Sequence, residues 1–151
     1  MRAVATACCA ALLVGCKKSE TPPPPPAAPT AMAPAPVSLS SFAGTWRVRG
    51  LNERGDSIVG YQLIATADTA GWKLVFPKRA PVAARVVAVA GDSVVMEAGP
   101  YESVLRKGVQ VRTHAVLRLQ GANLVGTTVA HYATSRPDSV LHIRNEGTRQ
   151  P

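Results

Sequence analysis

The sequence predicts an all-β domain, an antiparallel meander of about eight strands that closes into a small barrel. Apolar and polar residues alternate with period two through most of residues 40–151, and Gly, Asp, Asn and Pro interrupt the alternation at short intervals. No run has convincing helical spacing. A sheet of eight strands can close on itself and remove its exposed edges, and a flattened sandwich or a partly open barrel is the alternative.

The strands are expected in chain order, each bounded by turn residues. Residues 109–120 give the clearest pattern, because Val111, Ala115 and Leu117 alternate with charged or polar neighbours. Asp-Ser pairs at 56–57, 92–93 and 138–139 are typical of turns that precede a strand. The predicted strands are 46–49, 59–65, 72–76, 82–90, 93–97, 109–120, 124–132 and 140–144.

The first fifteen residues have the features of an export signal. Arg2 is followed by an apolar run over 3–14, which is shorter than the roughly 20 residues that span a bilayer but suits a signal peptide. The run ends in Leu13-Val14-Gly15-Cys16. This resembles the lipobox of bacterial lipoproteins, and the alternative is an ordinary secretory signal with an incidental cysteine.

The lipobox resemblance implies that the Gly15–Cys16 bond is cut and that the Cys16 thiol is acylated, which would anchor the chain durably in a membrane. Cys8 and Cys9 would leave with the signal, so the mature chain would have no disulfide. By the same resemblance Lys17, in place of an aspartate, favours the periplasmic face of the outer membrane in a diderm bacterium.

A linker is expected over 16–39, because prolines fill 22–26 and recur among alanines up to Pro36. Such a segment favours extended polyproline II and can space a domain from its anchor; a recognition site for a proline-reading domain is the alternative. The barrel domain is expected over 40–151.

The expected domain is basic, with 14 Lys and Arg against 8 Asp and Glu. This charge fits attraction to anionic lipid heads or lipopolysaccharide phosphates, and equally a solvated basic surface. Nucleic acid is not an expected partner, because the predicted compartment is wrong and the sequence contains no binding motif.

The start of the domain, Phe42-Ala43-Gly44-Thr45-Trp46, resembles the Gly-x-Trp opening of lipocalins and avidins. The resemblance implies that a late-strand arginine packs over Trp46, and Arg144 is expected in that place. Eight-stranded barrels are filled by side chains or hold one small ligand. The residues expected to line such a site, which could equally form a solid core, are Trp46, Tyr61, Leu63, Trp72, Leu74, Phe76, Leu117 and Leu119.

Residues for catalysis or metal binding are few, and neither an enzyme nor a cofactor is expected. His114, His131 and His142 fall on the last three strands, where they could converge on zinc, but three unrelated histidines are the expectation. Glu97 and Glu102 could act as an acid–base pair, or belong to a polar loop.

The longest predicted loop, 98–108, combines an aromatic residue with charges, so Tyr101, Glu102 and Arg106 are candidate binding residues. The alternatives are a lid over one barrel end or a partly paired strand. Two functions remain open: a membrane-anchored module that binds a small apolar ligand, or an envelope module that docks a protein partner without a ligand cavity.

Overall fold

The computed structural model describes residues 37–151. They form a closed antiparallel barrel in which eight strands follow one another in chain order and the last pairs with the first. The predicted all-β meander and its closure are therefore confirmed. The elements are α1 (Leu39–Phe42), β1 (Gly44–Leu51), β2 (Ser57–Ala65), β3 (Trp72–Val75), β4 (Val82–Ala90), β5 (Ser93–Glu102), β6 (Gln110–Gln120), β7 (Asn123–Tyr132) and β8 (Val140–Arg149).

The period-two pattern separates the inside of the barrel from the outside. In β6, Val111, Ala115 and Leu117 are buried, while Arg112 and Arg118, each next to one of them, are exposed. Successive side chains on a strand point to opposite faces of the sheet, so the apolar set fills the interior. The burial of these residues fixes the register, because a slip of one residue would turn them all outward.

The barrel has two different ends. The chain enters at the first, called the closed end, which carries residues 37–43 and the turns at 66–71, 91–92 and 121–122. The second, called the lid end, carries the loops 52–56, 76–81, 103–109 and 133–139. Alternating strand directions place every second connection at the same end.

A solid apolar core fills the closed end. Phe42, Trp46 and Trp72 are among its largest fully buried side chains, and the Trp46 indole Nε1 donates a 2.7 Å hydrogen bond to the Phe42 carbonyl oxygen. This bond satisfies the one polar atom of a buried indole. The short α1 segment is thereby held over the barrel end as a plug.

The arginine over Trp46 is Arg149, and the expectation of Arg144 was wrong. The Arg149 Cζ lies 4.3 Å from the Trp46 ring centroid, and its guanidinium donates to the Ala43 and Ser41 carbonyl oxygens. Strand β8 continues five residues beyond the predicted end. Arg144 instead lies on the outer face, where it pairs with Glu146 at 3.4 Å.

The segment 98–108 is in part strand, because β5 extends to Glu102, and this agrees with the partly paired strand given above as an alternative to a binding loop. Gly99 and Pro100 are residue types that favour turns, but they form an irregularity within the strand, and pairing with β6 resumes at Tyr101. Gly99 has φ 109°, and a Cβ there would press on the Val111 carbonyl. Only glycine adopts this backbone easily, so the residue that suggested a turn allows the strand to continue.

The expected signal, the lipobox at Gly15 and Cys16, and the proline-rich part of the linker lie outside the described residues. Among residues 37–151 no helix is long and apolar enough to cross a bilayer.

Candidate functional site

A small, partly open cavity lies at the lid end of the barrel. Its volume is about 50 Å³, and its walls come from six strands, the 103–109 loop and Phe76 of the 76–81 loop. The lining residues are Val59, Tyr61, Leu74, Phe76, Met96, Tyr101, Ser103, Val104, Leu105, Val111, Thr113, Ala115, Thr128, Ala130, Tyr132 and Ile143.

The volume limits what the cavity can hold in this conformation. A water molecule needs a cavity of about 10–15 Å³, and an apolar cavity of about 150 Å³ holds benzene. A cavity of about 50 Å³ therefore accepts a few small atoms, and any larger guest requires part of the wall to move.

A hydrogen-bonded chain of polar groups crosses the interior beside the cavity. The Tyr61 hydroxyl donates to Asn145 Oδ1 at 3.4 Å, and the Asn145 amide donates to Thr128 Oγ1 at 2.6 Å. Asn145 is 1 % exposed, so an unpaired amide there would be costly. Within residues 37–151 every buried side-chain polar atom has a hydrogen-bond partner. The buried polar side chains of this interior are thus hydrogen-bonded without a guest.

The 103–109 loop, called the lid, forms part of the cavity wall. Ser103 is 2 % exposed, and its hydroxyl accepts hydrogen bonds from the backbone N–H groups of Leu105 and Arg106, both at 3.0 Å. The Val104 and Leu105 side chains form the underside of the lid, against the cavity. A buried serine that fixes the following backbone is a common loop device, so the lid has a defined shape.

Arg106 fastens the lid to the loop between β7 and β8. Its guanidinium lies 3.9 Å from the centroid of the Tyr132 ring, and its Nη2 is 3.1 Å from Asp138 Oδ2. These two contacts are called the latch. A cation over an aromatic ring contributes about 0.5–1 kcal/mol at an exposed site, and an exposed ion pair about 0–1 kcal/mol. The latch is therefore weak enough to open thermally.

Only some of the residues predicted to line a ligand site lie at the cavity. Tyr61, Leu74 and Phe76 line the cavity, as do Tyr101 from the predicted binding loop and the lid itself. The other predicted lining residues lie away from the cavity and pack in or against the core; they are Trp46, Leu63, Trp72, Leu117 and Leu119.

The two candidate binding residues other than Tyr101, Glu102 and Arg106, make contacts within the protein. Glu102 Oε1 accepts a 3.1 Å hydrogen bond from the Gly108 N–H, and the Glu102 carbonyl accepts one from Arg79 at 2.7 Å. Arg106 forms the latch. These contacts hold the lid closed and leave Tyr101 as the member of the set that faces the cavity.

Burial perturbs the two tyrosines that share the cavity wall. Desolvation inside the barrel raises the pKa of Tyr61 above its ordinary value, and the nearby Tyr101 raises it further. Desolvation likewise raises the pKa of Tyr101. Both hydroxyls therefore remain protonated at neutral pH and offer one donor each, without charge, to the interior.

The three histidines lie on the outer face of the barrel, and the structure does not bring them together. His114 pairs in register with Val129, and Val129 separates it from His142, while His131 lies opposite Arg112. Residues 37–151 contain no group of three or more His, Cys, Asp or Glu side chains that could hold a metal ion.

Glu97 has partners other than Glu102. Its carboxylate lies 3.0 Å from Arg85 Nη2 and 3.7 Å from His114 Nδ1. The hydrogen bond from Arg85 lowers the pKa of Glu97, with a smaller contribution from His114. A carboxylate held ionised on the outer surface is poorly suited to act as a general acid.

Sequence reasoning missed the polar half of the cavity region. Thr113, Thr128 and Asn145 all point inward. The signal was present for Asn145, because it lies between the inward positions Ile143 and Gly147 of one strand. An inward position occupied by an amide predicts a hydrogen-bonded interior.

The chain matches no protein-family model, and comparison with curated proteins and with solved structures gives no match either.

Proposed function

We propose that this protein is a lipid-anchored lipoprotein of the cell envelope whose barrel binds a small, neutral, apolar ligand beneath the lid. Ligand binding is inferred from the cavity beneath the lid. This cavity has an apolar floor and a few hydroxyl groups, and a weak latch holds the lid over it. The anchoring half depends on Leu13-Val14-Gly15-Cys16, and Lys17 favours the periplasmic face of the outer membrane.

The lining defines the class of ligand. Within the described chain, the residues around the cavity are apolar, tyrosine, serine or threonine, and none carries a formal charge. An unpaired carboxylate or ammonium would lose its hydration there at a cost of several kcal/mol. The site therefore favours an uncharged molecule with a short hydrocarbon part.

One hydroxyl or carbonyl on the ligand would also find partners. The Tyr61 bond to Asn145 is 3.4 Å long and the Thr113 Oγ1 bond to the Ala98 carbonyl is 3.5 Å. Both exceed the usual 2.5–3.0 Å for hydroxyl donors. The Thr113 hydroxyl can turn toward a ligand at little cost, and the Tyr61 oxygen can accept a hydrogen bond from a ligand hydroxyl while its own bond to Asn145 stays in place. A short alkanol is the simplest molecule with both features.

Binding of anything larger than a few atoms would displace the underside of the lid. Leu105 is already 37 % exposed, and release of the latch would let Val104 and Leu105 swing outward. The ligand's hydrocarbon part would then take the space of these side chains. In this way a cavity of about 50 Å³ would become a site for a short chain.

A titration tests the ligand class. Full-length protein carrying Cys16→Ser, to prevent acylation, is titrated with 1-alkanols from ethanol to hexanol and with carboxylates of the same lengths. The Met96 methyl shift in NMR spectra reports on the cavity wall. We expect saturable binding of the alkanols that strengthens about fourfold per added CH₂, and carboxylates at least tenfold weaker. Equal binding of carboxylates, or no saturable shift, would overturn the proposal.

A matched pair of variants locates the site. Ala130→Val adds two methyl groups within the cavity wall, and Ala83→Val adds them on the exposed outer face of β4. Ala130→Val should abolish alkanol binding while the barrel stays as stable as before or becomes slightly more stable. Ala83→Val should bind normally. Identical binding by both variants would place the alkanol elsewhere.

The anchor has its own test. Mass spectrometry of the protein from its native cells should find residues 1–15 absent and acyl chains on Cys16. An unmodified thiol, or a retained signal, would contradict the anchoring half and leave the ligand half standing.

The second candidate is an interaction module of the envelope without a ligand. The solid core at the closed end and the small cavity volume favour it, as do the exposed valines Val87 and Val89 on β4. A photo-crosslinker at position 87 should then capture one envelope protein in cells. Recovery of lipids alone would count against this candidate.

A further inference from the structure

One half of the barrel's outer surface combines arginines with exposed valines. Arg118 lies on β6, Arg144 on β8, and Arg47 and Arg49 on β1, and these strands adjoin through β7. All four arginine side chains face outward and are exposed. This surface, defined by the four arginines, is called the arginine face.

The arginines occupy neighbouring positions across the strands. Arg118 is opposite Val125, Val125 is opposite Glu146, and Glu146 is opposite Arg49. Arg47 and Arg144 each lie two residues along the strand from a member of this row. Among the described residues, Glu146 is the one acidic side chain on the outward positions of β6, β7, β8 and β1, so the face has a positive excess.

Two shallow grooves run between these arginines. The first, of about 330 Å³, has Arg47 and Arg49 in its wall, and the second, of about 480 Å³, has Arg118 and Arg144. Both grooves contain Val125 and Glu146. A guanidinium presents its N–H groups as a planar fork that matches the oxygens of a phosphate. Each groove therefore offers a pair of such forks.

Glu146 neutralises only part of the charge. It lies 3.3 Å from Arg49 and 3.4 Å from Arg144, while Arg47 and Arg118 form no ion pair within residues 37–151. Exposed pairs of this kind are weak and exchange readily. All four guanidinium groups can therefore reach an external anion.

Valines on the same strands distinguish between possible anionic partners. Val116 on β6 is 37 % exposed and Val140 on β8 is 43 % exposed, and Val125 and Val129 on β7 are half-buried on the same side. Basic residues beside apolar ones are typical of surfaces that enter the boundary between lipid headgroups and acyl chains. A soluble phosphate would make no use of the valines.

We propose that the arginine face docks on a bilayer of anionic phospholipids, with lipid phosphates in the two grooves. This docking is separate from the Cys16 anchor and from the cavity. It brings the side of the barrel, rather than either end, against the membrane surface.

Vesicle binding tests the proposal. Full-length protein carrying Cys16→Ser is mixed with vesicles of phosphatidylglycerol and phosphatidylcholine in equal parts, or of phosphatidylcholine alone, and the bound fraction is measured by sedimentation. Residues 1–15 contribute to binding to both kinds of vesicle. The readout is therefore the ratio of the partition coefficient on the mixed vesicles to that on phosphatidylcholine alone. We expect a ratio of about 30 or more from four arginines, reduced to near 1 in 0.5 M NaCl.

Two charge-matched quadruple variants locate the docking surface. Gln replaces Arg47, Arg49, Arg118 and Arg144 in the first, and Arg54, Lys73, Lys107 and Arg136, all exposed elsewhere on the domain, in the second. The first should lower the ratio at least tenfold and the second less than threefold. Equal losses would show attraction by net charge alone and overturn the proposal.

Glu146→Gln gives a readout that damage to the fold would not produce. Removal of the acidic group frees Arg49 and Arg144, so the vesicle ratio should rise about three- to fivefold. Glu53→Gln in the β1–β2 loop makes the same charge change away from the arginine face and should leave the ratio nearly unchanged. An unchanged or lower ratio for Glu146→Gln would contradict docking through this face.

Discussion

Arg149 should contribute far more to stability than Arg144, although both are exposed arginines on the same strand. The test is a pair of single substitutions, Arg149→Met and Arg144→Met. Methionine retains an unbranched apolar stem of similar reach but has no guanidinium. The comparison therefore removes charge and hydrogen-bond donors in both variants and separates the two positions by their contacts alone.

The contacts of Arg149 give the magnitude. Its cation–π contact with Trp46, at 4.3 Å, contributes about 0.5–1 kcal/mol because the site is exposed. Its hydrogen bonds to the Ala43 and Ser41 carbonyls contribute about 0.5–1 kcal/mol each after the same allowance for exposure. The expected loss in the free energy of unfolding is therefore about 2 kcal/mol.

Arg144 has one exposed partner, Glu146, so its replacement should cost no more than about 0.5 kcal/mol. For a domain of this size 1 kcal/mol corresponds to roughly 4 °C in Tm. Thermal unfolding followed by circular dichroism should then show a decrease of about 8 °C for Arg149→Met and less than about 2 °C for Arg144→Met. Equal decreases would refute the clamp that we assign to Arg149.

Three further predictions concern backbone packing, pH and the lid. Gly126→Ala should cost more than about 2 kcal/mol in chemical denaturation, because its Cβ would collide with the Val116 carbonyl, while Gly60→Ala, with open space around it, should be nearly neutral; equal losses would contradict the close approach. Because burial raises the pKa of Tyr61 and Tyr101, the free energy of unfolding should be constant below pH 10 in this respect. It should fall above pH 10, by at most about 1.4 kcal/mol per pH unit for each tyrosine, because the tyrosines of the unfolded chain ionise first. Tyr61→Phe should make this decrease with pH less steep in chemical denaturation. An equally steep decrease in the variant would contradict the assignment. Arg106→Gln breaks the latch, so hydrogen exchange at the Leu105 amide should accelerate about two- to thirtyfold; an unchanged rate would mean that other contacts hold the lid.

The fold was predictable because it depends on a local pattern that one sequence displays directly. The alternation in β6 places Leu117 inside and Arg118 outside whatever the rest of the chain does. Strand ends were harder to predict. Gly99 and Pro100 are turn residues by composition, but pairing with β6 keeps them within a strand, and that pairing is not visible in local sequence.

The candidate site was less predictable for a geometric reason. Whether an inward-facing residue lies in the solid core or in the cavity wall depends on its position along the barrel axis. That position depends on how the strands are aligned with one another. Leu63 and Tyr61 are two residues apart on one inward face, and Leu63 is in the solid core while Tyr61 reaches the cavity. The identity of the arginine over Trp46 was likewise not predictable, because it depends on how far β8 extends.

The most direct test of the central claim is to observe where an alkanol binds. Nuclear Overhauser contacts between unlabelled 1-butanol and ¹³C-labelled methyl groups of full-length Cys16→Ser protein would identify the binding position. We expect contacts from Met96, Val111 and Ile143 on the cavity wall and none from the exposed valines Val87 and Val89. Contacts confined to those outer valines, or no contacts at saturating alkanol, would show that the barrel interior does not bind a ligand.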